Sequence, residues 1–126
     1  MLHERHFTVD EANAELARIE PMLETLREAK GELLDDEARE ALTEASTTNG
    51  GGDPGKQVGE AFLTVRRILS ALNEAGIVVR DVDRGLIDFP AVIDEQEVYL
   101  CWELGEDEVG FRHDMDAGYG GREPLD

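Results

Sequence analysis

Apolar residues recur every three or four positions through the first third of the chain, and this spacing places them on one face of an α-helix. The helix is predicted to begin at a capping box, in which the Thr8 hydroxyl accepts from the Glu11 amide and the Glu11 carboxylate from the Thr8 amide. Pro21 removes one backbone hydrogen bond and predicts a kink, because the apolar seam continues beyond it. The pattern weakens after Gly31 and predicts an end near Ala45. The seam consists of Val9, Ala12, Leu16, Ile19, Leu23, Leu26 and Leu33.

A second amphipathic helix is predicted from about Pro54 to Ala75. Asp53 is a favourable N-cap residue, and Pro54 suits the first helical position. Gly76 is predicted to end this helix in the left-handed conformation. The intervening residues 46–53 are rich in Ser, Thr and Gly and predict a flexible linker. The two apolar seams are therefore expected to pack as an antiparallel helical hairpin.

Beyond Gly76 the apolar period changes to two, which indicates β-strands. Four short strands are predicted at residues 77–82, 86–93, 98–104 and 109–113, and a glycine-rich tail follows them. Pro90 is expected at an interruption or an edge of the second strand, because it cannot donate to a central ladder. The third strand alternates clearly, so half of its residues are expected to face the core. These are Val98, Leu100, Trp102 and Leu104.

Together these elements predict a single α+β domain over residues 1–126, in which an antiparallel helical hairpin packs against a small antiparallel β-meander. The hairpin is expected to cover about residues 8–75, and the meander with its tail about residues 76–126. A chain of 126 residues is long enough to bury about two thirds of its unfolded surface around one core. No second folded domain is expected.

Charge narrows the possible partners. Thirty Asp and Glu residues face twelve Lys and Arg residues, which gives a net charge of -18. Such a surface repels nucleic acid and anionic membranes, so neither is expected as a partner. Only two of the twelve basic residues are lysines. This composition is typical of proteins from concentrated salt, where carboxylate repulsion is screened, and a GC-rich genome is the alternative explanation.

The chain contains no run of about 18 apolar residues that could span a membrane, and its N-terminus lacks the pattern of a signal peptide. Its only cysteine, Cys101, cannot form an intramolecular disulfide. Both observations favour a cytoplasmic protein.

Four separated segments, in order, resemble a known family. They comprise Phe7-Thr8 with Glu11–Asn13, the run Gly76–Ala91, the stretch Glu97–Trp102 with Leu104–Glu106, and Gly110-Phe111 with His113, Asp116–Tyr119 and Gly121-Arg122. Over nearly its full length the chain resembles the uncharacterised prokaryotic family known as domain of unknown function 2203. The resemblance implies no activity, cofactor or catalytic residue.

One candidate site is a divalent metal centre near the end of the last strand. His113 and Asp116 combine an imidazole with a carboxylate, and Asp88 or Asp81 from neighbouring strands could complete the ligands. No second histidine or cysteine stands at ligand spacing, so the competing interpretation is a structural network. In that network Asp88 or Asp116 pairs with Arg84 or Arg122, and a carboxylate fixes His113. Asp81, Asp83 and Gly85 match only the start of a calcium loop.

A different interpretation of the same region is an anion site. Arg84 and Arg122 could bind a small anionic molecule beside glycine amides, since forked guanidinium groups suit carboxylate and phosphate. Asp88 lies within this candidate ligand site, and Trp102 or Tyr119 would form an apolar wall. The tail lacks the residue order of a phosphate-binding loop.

The remaining candidates favour structural roles. Cys101 with His113 suggests a nucleophile and base, but Cys101 is expected to be a small buried residue with an ordinary thiol. His3 and His6 precede the first helix cap and are expected on the surface, in a mobile tail.

The leading functional hypothesis is a nonenzymatic interaction module. The seam from Leu33 to Leu42 is left over by the shorter second helix and could pair with a second copy as a coiled-coil homodimer. The alternative is a divalent-metal or small-anion site on the β-meander, which could be catalytic. Enzymatic activity is left open. The sequence establishes no cofactor.

Overall fold

The computed structural model describes residues 1–45 and 54–125, with side chains at residues 1–35 and 58–125. The helices are α1 (Val9–Ala45) and α2 (Pro54–Glu74). The strands are β1 (Val78–Asp81), β2 (Leu86–Ile93), β3 (Gln96–Glu103), β4 (Phe111–Asp114) and β5 (Glu123–Pro124), and a short 3-10 helix (Tyr119–Gly121) precedes β5. The strands form one antiparallel sheet in sequential order. The predicted α+β fold is confirmed, and the predicted linker, residues 46–53, lies outside the described residues.

Two of the predicted helix boundaries, the start of α1 and the end of α2, are marked by hydrogen bonds. At the start of α1, the Thr8 amide donates to the Glu11 carboxylate at 3.0 Å and the Glu11 amide to the Thr8 hydroxyl at 3.1 Å. Gly76 follows α2 with a φ of 83°, and the Ile77 amide donates to the Leu72 carbonyl. A positive φ is unstrained only for glycine, so Gly76 turns the chain directly from α2 into the sheet.

The helices cover one face of the sheet. On that face Ile87 lies opposite Trp102 and Phe89 lies opposite Leu100, and all four side chains are fully buried. Each large apolar side chain removed from water contributes about 1.5–3 kcal/mol, which makes this layer the main source of stability. The core-facing set predicted for β3 is thus confirmed, with Leu104 partly buried at its margin. The helical side of the core consists of Leu16, Ile19, Leu23, Leu26, Ile68 and Leu72.

Pro90 lies inside β2 without costing a ladder bond. Strand β1 begins at Val78, opposite Asp88, so β1 does not reach Pro90, and the Pro90 carbonyl accepts from the Phe7 amide at 2.7 Å. The nitrogen of a strand residue faces the same edge as its carbonyl, so the missing N–H of Pro90 points away from β3. The Phe7 ring packs edge-on against Phe89, with the ring centroids 5.2 Å apart.

The C-terminal tail is more regular than its glycine content suggests. Its last residues form β5, in which Glu123 pairs with Arg112 of β4, and the Leu125 amide donates to the Gly110 carbonyl. Before β5, the 3-10 helix starts at Gly118, whose φ is 63°. This turn brings Tyr119 over the sheet face that the helices leave uncovered.

Candidate metal centre

Polar side chains are buried on the outward face of the sheet. Asp88 and His113 are 1% and 3% exposed, although α1 and α2 pack against the opposite face. Strand pairing gathers the cluster, because Asp88 lies opposite Cys101 and His113 lies opposite Tyr99. Alternation along each strand points these four side chains away from the helices. A polar centre therefore lies directly behind the apolar core.

The centre opens into a cavity of about 240 Å³. Asp88, Cys101 and His113 line its floor, and the C-terminal turn forms part of its wall. The other lining residues are Arg80, Asp81, Leu86, Gly118 and Tyr119. A small molecule or a few waters could therefore reach the buried polar atoms.

Both nitrogens of the His113 ring are engaged. Nδ1 lies 2.8 Å from the Asp114 carbonyl oxygen, which can only accept, so Nδ1 carries a proton. Nε2 lies 3.0 Å from each carboxylate oxygen of Asp88. In the absence of a metal, Nε2 and the Asp88 carboxyl group are joined by a hydrogen bond, so both are already engaged with one another. No ring nitrogen is left free to act as a general base toward the cavity.

Asp88 has a second cationic partner. The Arg80 Nε donates to the Asp88 carboxylate at 2.8 Å, and the Arg80 guanidinium lies 4.8 Å from the centre of the Tyr99 ring. Burial lowers the pKa of Arg80, but the Asp88 carboxylate outweighs this effect and raises it, so Arg80 stays charged. Asp88 therefore has hydrogen-bonding partners on two sides, Arg80 and His113.

Cys101 is a protonated thiol in this arrangement. Burial raises its pKa to about 12, and the negative charge of Asp88 acts in the same direction. A thiol with such a pKa is a poor nucleophile at neutral pH. Nucleophilic catalysis by Cys101 with His113 as base is therefore not supported by the geometry of either residue.

The three side chains nevertheless form a plausible donor set for a metal ion. One ligand atom from each of Asp88, Cys101 and His113 lies within 4.8 Å of the other two. Oxygen, sulfur and nitrogen donors together suit Zn²⁺ and similar divalent ions, whose bond lengths of ~2.0–2.3 Å imply ligand separations of about 3.5 Å. The Asp88 and His113 atoms, now 3.0 Å apart, would separate by about half an ångström to admit a metal.

The sequence-predicted metal ligands divide between two places. His113 and Asp88 meet at the centre, and Asp81 lines the cavity beside them. Asp116 is exposed on the turn after β4 and is absent from the ligand cluster found among the described residues. The structure places Cys101 where the sequence analysis put Asp116.

The sequence-predicted ligand-binding residues are dispersed, apart from Asp88. Arg84 pairs with Glu103 at 2.9 Å, and Arg122 pairs with Glu106 at 2.7 Å. Trp102 is fully buried on the opposite, helix-facing side of the sheet. Arg84 and Arg122 do both approach the Tyr119 ring, at 4.2 and 4.8 Å, and so hold that ring beside the cavity.

Sequence reasoning missed Arg80 as a member of the centre. Arg80 precedes the Asp-rich turn and was not among the candidate arginines, although it is the one that contacts Asp88. A backbone irregularity between Val79 and Asp81 sets its position. Cys101 could have been found from its place on the outward face of β3, directly opposite Asp88.

The N-terminal histidines, expected on the surface in a mobile tail, are partly buried and contact side chains of β3. His3 Nε2 lies 2.6 Å from the Tyr99 hydroxyl, and His6 Nε2 lies 2.7 Å from the Glu97 carboxylate. Glu97 also accepts from the amides of Leu2 and His3. Burial alone raises the pKa of Glu97, but these hydrogen bonds outweigh it and lower the pKa to about 2.

Comparison with known proteins returned one match. The profile of a family described as "Uncharacterized conserved protein (DUF2203)" matches residues 5–125. No curated protein and no solved structure matches the chain. Among the described residues, neither helix combines the length and the apolar character that a membrane crossing requires.

Proposed function

Because the chain belongs to the DUF2203 family, whose description states no activity, we propose its function from the centre itself: the protein binds a divalent transition-metal ion through Asp88, Cys101 and His113. The observation that carries this proposal is the convergence of three different ligand types at one buried point beside a cavity. Three protein ligands with an open position are typical of exchangeable or reactive metal sites rather than closed structural ones.

The hydrogen bond at His113 Nδ1 supports this assignment. A metal-bound histidine usually donates its second N–H to a carbonyl or carboxylate, which fixes the ring and the tautomer. The Asp114 carbonyl occupies that position at 2.8 Å, so Nε2 is the nitrogen available to a metal. Arg80 would orient the Asp88 carboxylate in the same way from the other side.

The competing interpretation is a structural His113–Asp88–Arg80 network that never binds metal. The two interpretations differ in the number of protons that should be released when metal is added. A metal must displace the proton on His113 Nε2 and the proton on the Cys101 thiol, whose pKa of about 12 opposes its loss. Metal binding should therefore release about two protons and weaken steeply in acid.

The test is metal binding to the tag-free protein, purified without chelator. Elemental analysis should find stoichiometric metal, and Co²⁺ added to the metal-free protein should give thiolate-to-cobalt absorption. The variants Cys101→Ser and His113→Gln should lose both signals. His6→Gln and Asp116→Asn are matched controls that should keep them. Absence of metal and of a cobalt spectrum in the unmodified protein would leave the structural network as the correct interpretation.

A second candidate function is homodimerisation through the helical hairpin. The observation that favours it is the exposure of large apolar side chains there, with Leu34 at 56%, Phe62 at 51% and Leu63 at 62%. In the proposed Leu33–Leu42 seam, Leu42 lies beyond the residues whose side chains are described. Two copies of net charge -18 repel one another, so dimerisation should strengthen as salt screens them.

Sedimentation in low and high salt tests this candidate. The unmodified chain should dimerise in high salt, and replacing both Leu34 and Leu42 by Glu should abolish the dimer while the sheet remains folded. A monomer under both conditions rules the candidate out.

We further propose a cytoplasmic location, where the single thiol that the metal centre requires stays reduced.

A further inference from the structure

We infer that the cavity beside the metal centre binds a small monocarboxylate, with one oxygen on the metal and the other on Arg80. This inference rests on the proposed function, since it assigns a ligand to the open position of the same metal. The ligand class follows from three features of the cavity: an incompletely used arginine, an apolar wall and a nearly balanced local charge.

Arg80 has hydrogen-bonding capacity left over. Where side chains are described, it donates one hydrogen bond, from Nε to Asp88, and its side chain is 41% exposed. The two terminal nitrogens of the guanidinium carry four further N–H groups. Arg84 and Arg122, by contrast, already use terminal nitrogens on Glu103 and Glu106. Arg80 is therefore the arginine of this face that is positioned to bind a ligand in the cavity.

The shape of the cavity favours a short organic molecule. Leu86 and the Tyr119 ring line it, which gives a carboxylate with a few carbon atoms an apolar surface to contact. Gly118, with a φ of 63°, carries no side chain into this space. A volume of about 240 Å³ is below the usual range for drug-sized ligands, so it selects small ones.

Charge selects a single negative charge over two. A divalent metal and Arg80 together contribute three positive charges, and Asp81, Asp88 and a metal-bound Cys101 thiolate contribute three negative ones. The balance is close to neutral in a protein whose net charge is -18. A monocarboxylate brings this balanced site to a net charge of about -1 and a phosphate dianion brings it to about -2, so the single charge costs less to bury.

The experiment uses the full-length protein loaded with Co²⁺, whose absorption reports on the open coordination position. Acetate and butyrate should change the spectrum saturably, and butyrate should bind more tightly because it contacts Leu86 and Tyr119. Acetamide, which has the shape of acetate without its charge, should not bind. Inorganic phosphate should bind more weakly than acetate.

The key variant is Arg80→Lys, which retains the positive charge and loses the forked geometry. The Co²⁺-loaded form of this variant should bind acetate about tenfold more weakly or worse. Arg18→Lys, at an arginine of α1 that pairs with Glu15, is the matched control and should bind acetate as the unmodified protein does. An equal acetate affinity in the Arg80 variant would overturn the role of Arg80.

The outcomes separate the two proposals. If Co²⁺ binds with thiolate absorption but neither carboxylate alters the spectrum, the metal site stands and the carboxylate inference is wrong. If phosphate binds more tightly than acetate, the assigned ligand class is wrong. If Co²⁺ does not bind at all, both proposals fail together at the first step.

Discussion

The two faces of the same sheet contrast sharply. On the helix-facing side, pairs such as Phe89 and Leu100 fill an apolar layer, whereas one residue further along the same strands Asp88 lies opposite Cys101. Both sides are buried. Apolar side chains can be removed from water without a free-energy cost, whereas each buried polar atom requires a hydrogen-bonding partner. The comparison shows that one pair of strands can hold an apolar core and a buried polar centre back to back.

The largest expected effect lies on the apolar face. Replacing Trp102 by Ala removes a fully buried side chain and should lower the free energy of unfolding by about 3–5 kcal/mol. The adjacent change Cys101→Ala, on the other face, removes only a sulfur atom and should cost about 1 kcal/mol. Denaturant unfolding with chelator present measures both. Equal losses would show that the two faces contribute alike.

A slightly smaller effect is expected on the polar face. Asp88→Asn removes the buried carboxylate that contacts both Arg80 and His113 and should cost about 3 kcal/mol without metal. Asp116→Asn, at an exposed position on the next turn, should change stability by less than about 0.5 kcal/mol. If His113→Gln in the Asp88→Asn background costs as much as it does alone, the two residues are not coupled.

The helix cap should contribute less than either face of the sheet. Thr8→Ala removes the hydroxyl that accepts from the Glu11 amide and should cost about 1 kcal/mol. Thr25→Ala, at an exposed position inside α1, is the control and should cost nothing, because alanine is the better helix former. Thermal unfolding of the two variants side by side checks the difference. A loss of stability of equal size in both variants would show that the capping box does not stabilise α1.

The smallest effect at neutral pH is expected at the N-terminal segment, where Glu97 provides a pH signature. The pKa of Glu97 is lowered to about 2 in the folded protein from an ordinary value of 4.5. A lowered pKa stabilises the fold above the ordinary value, and this contribution is lost as pH falls from 4.5 toward 2. Glu97→Gln should therefore be less stable at pH 6 and should approach the unmodified protein near pH 2. Parallel acid profiles for the two proteins would contradict this assignment.

Hydrophobic periodicity predicted the apolar face because it depends on each strand alone. Val98, Leu100 and Trp102 alternate with polar residues, and this is enough to choose their side of the sheet. The helix boundaries at Thr8 and Gly76 were predictable for the same reason, since a cap is a local hydrogen-bond pattern.

The polar centre depends on the register in which neighbouring strands pair, and this register is difficult to predict from the sequence. Cys101 faces Asp88 because Asp94 and Glu95 make a two-residue turn in which both residues have positive φ. Neither is the glycine that usually marks such a turn, and a shift of one residue would reverse the faces. Arg80 was likewise hidden, because the irregularity after Val79 is a property of strand pairing.

The contact between Phe7 and Pro90 protects an edge of the sheet from pairing with a strand of another chain. Beyond Asp88 the edge of β2 is no longer covered by β1, and an uncovered edge invites another chain to add a strand. Pro90 has no N–H to offer, and the Phe7 amide already occupies its carbonyl. A chain that approaches this edge finds neither a donor nor a vacant acceptor at Pro90, which disfavours the addition of a strand there.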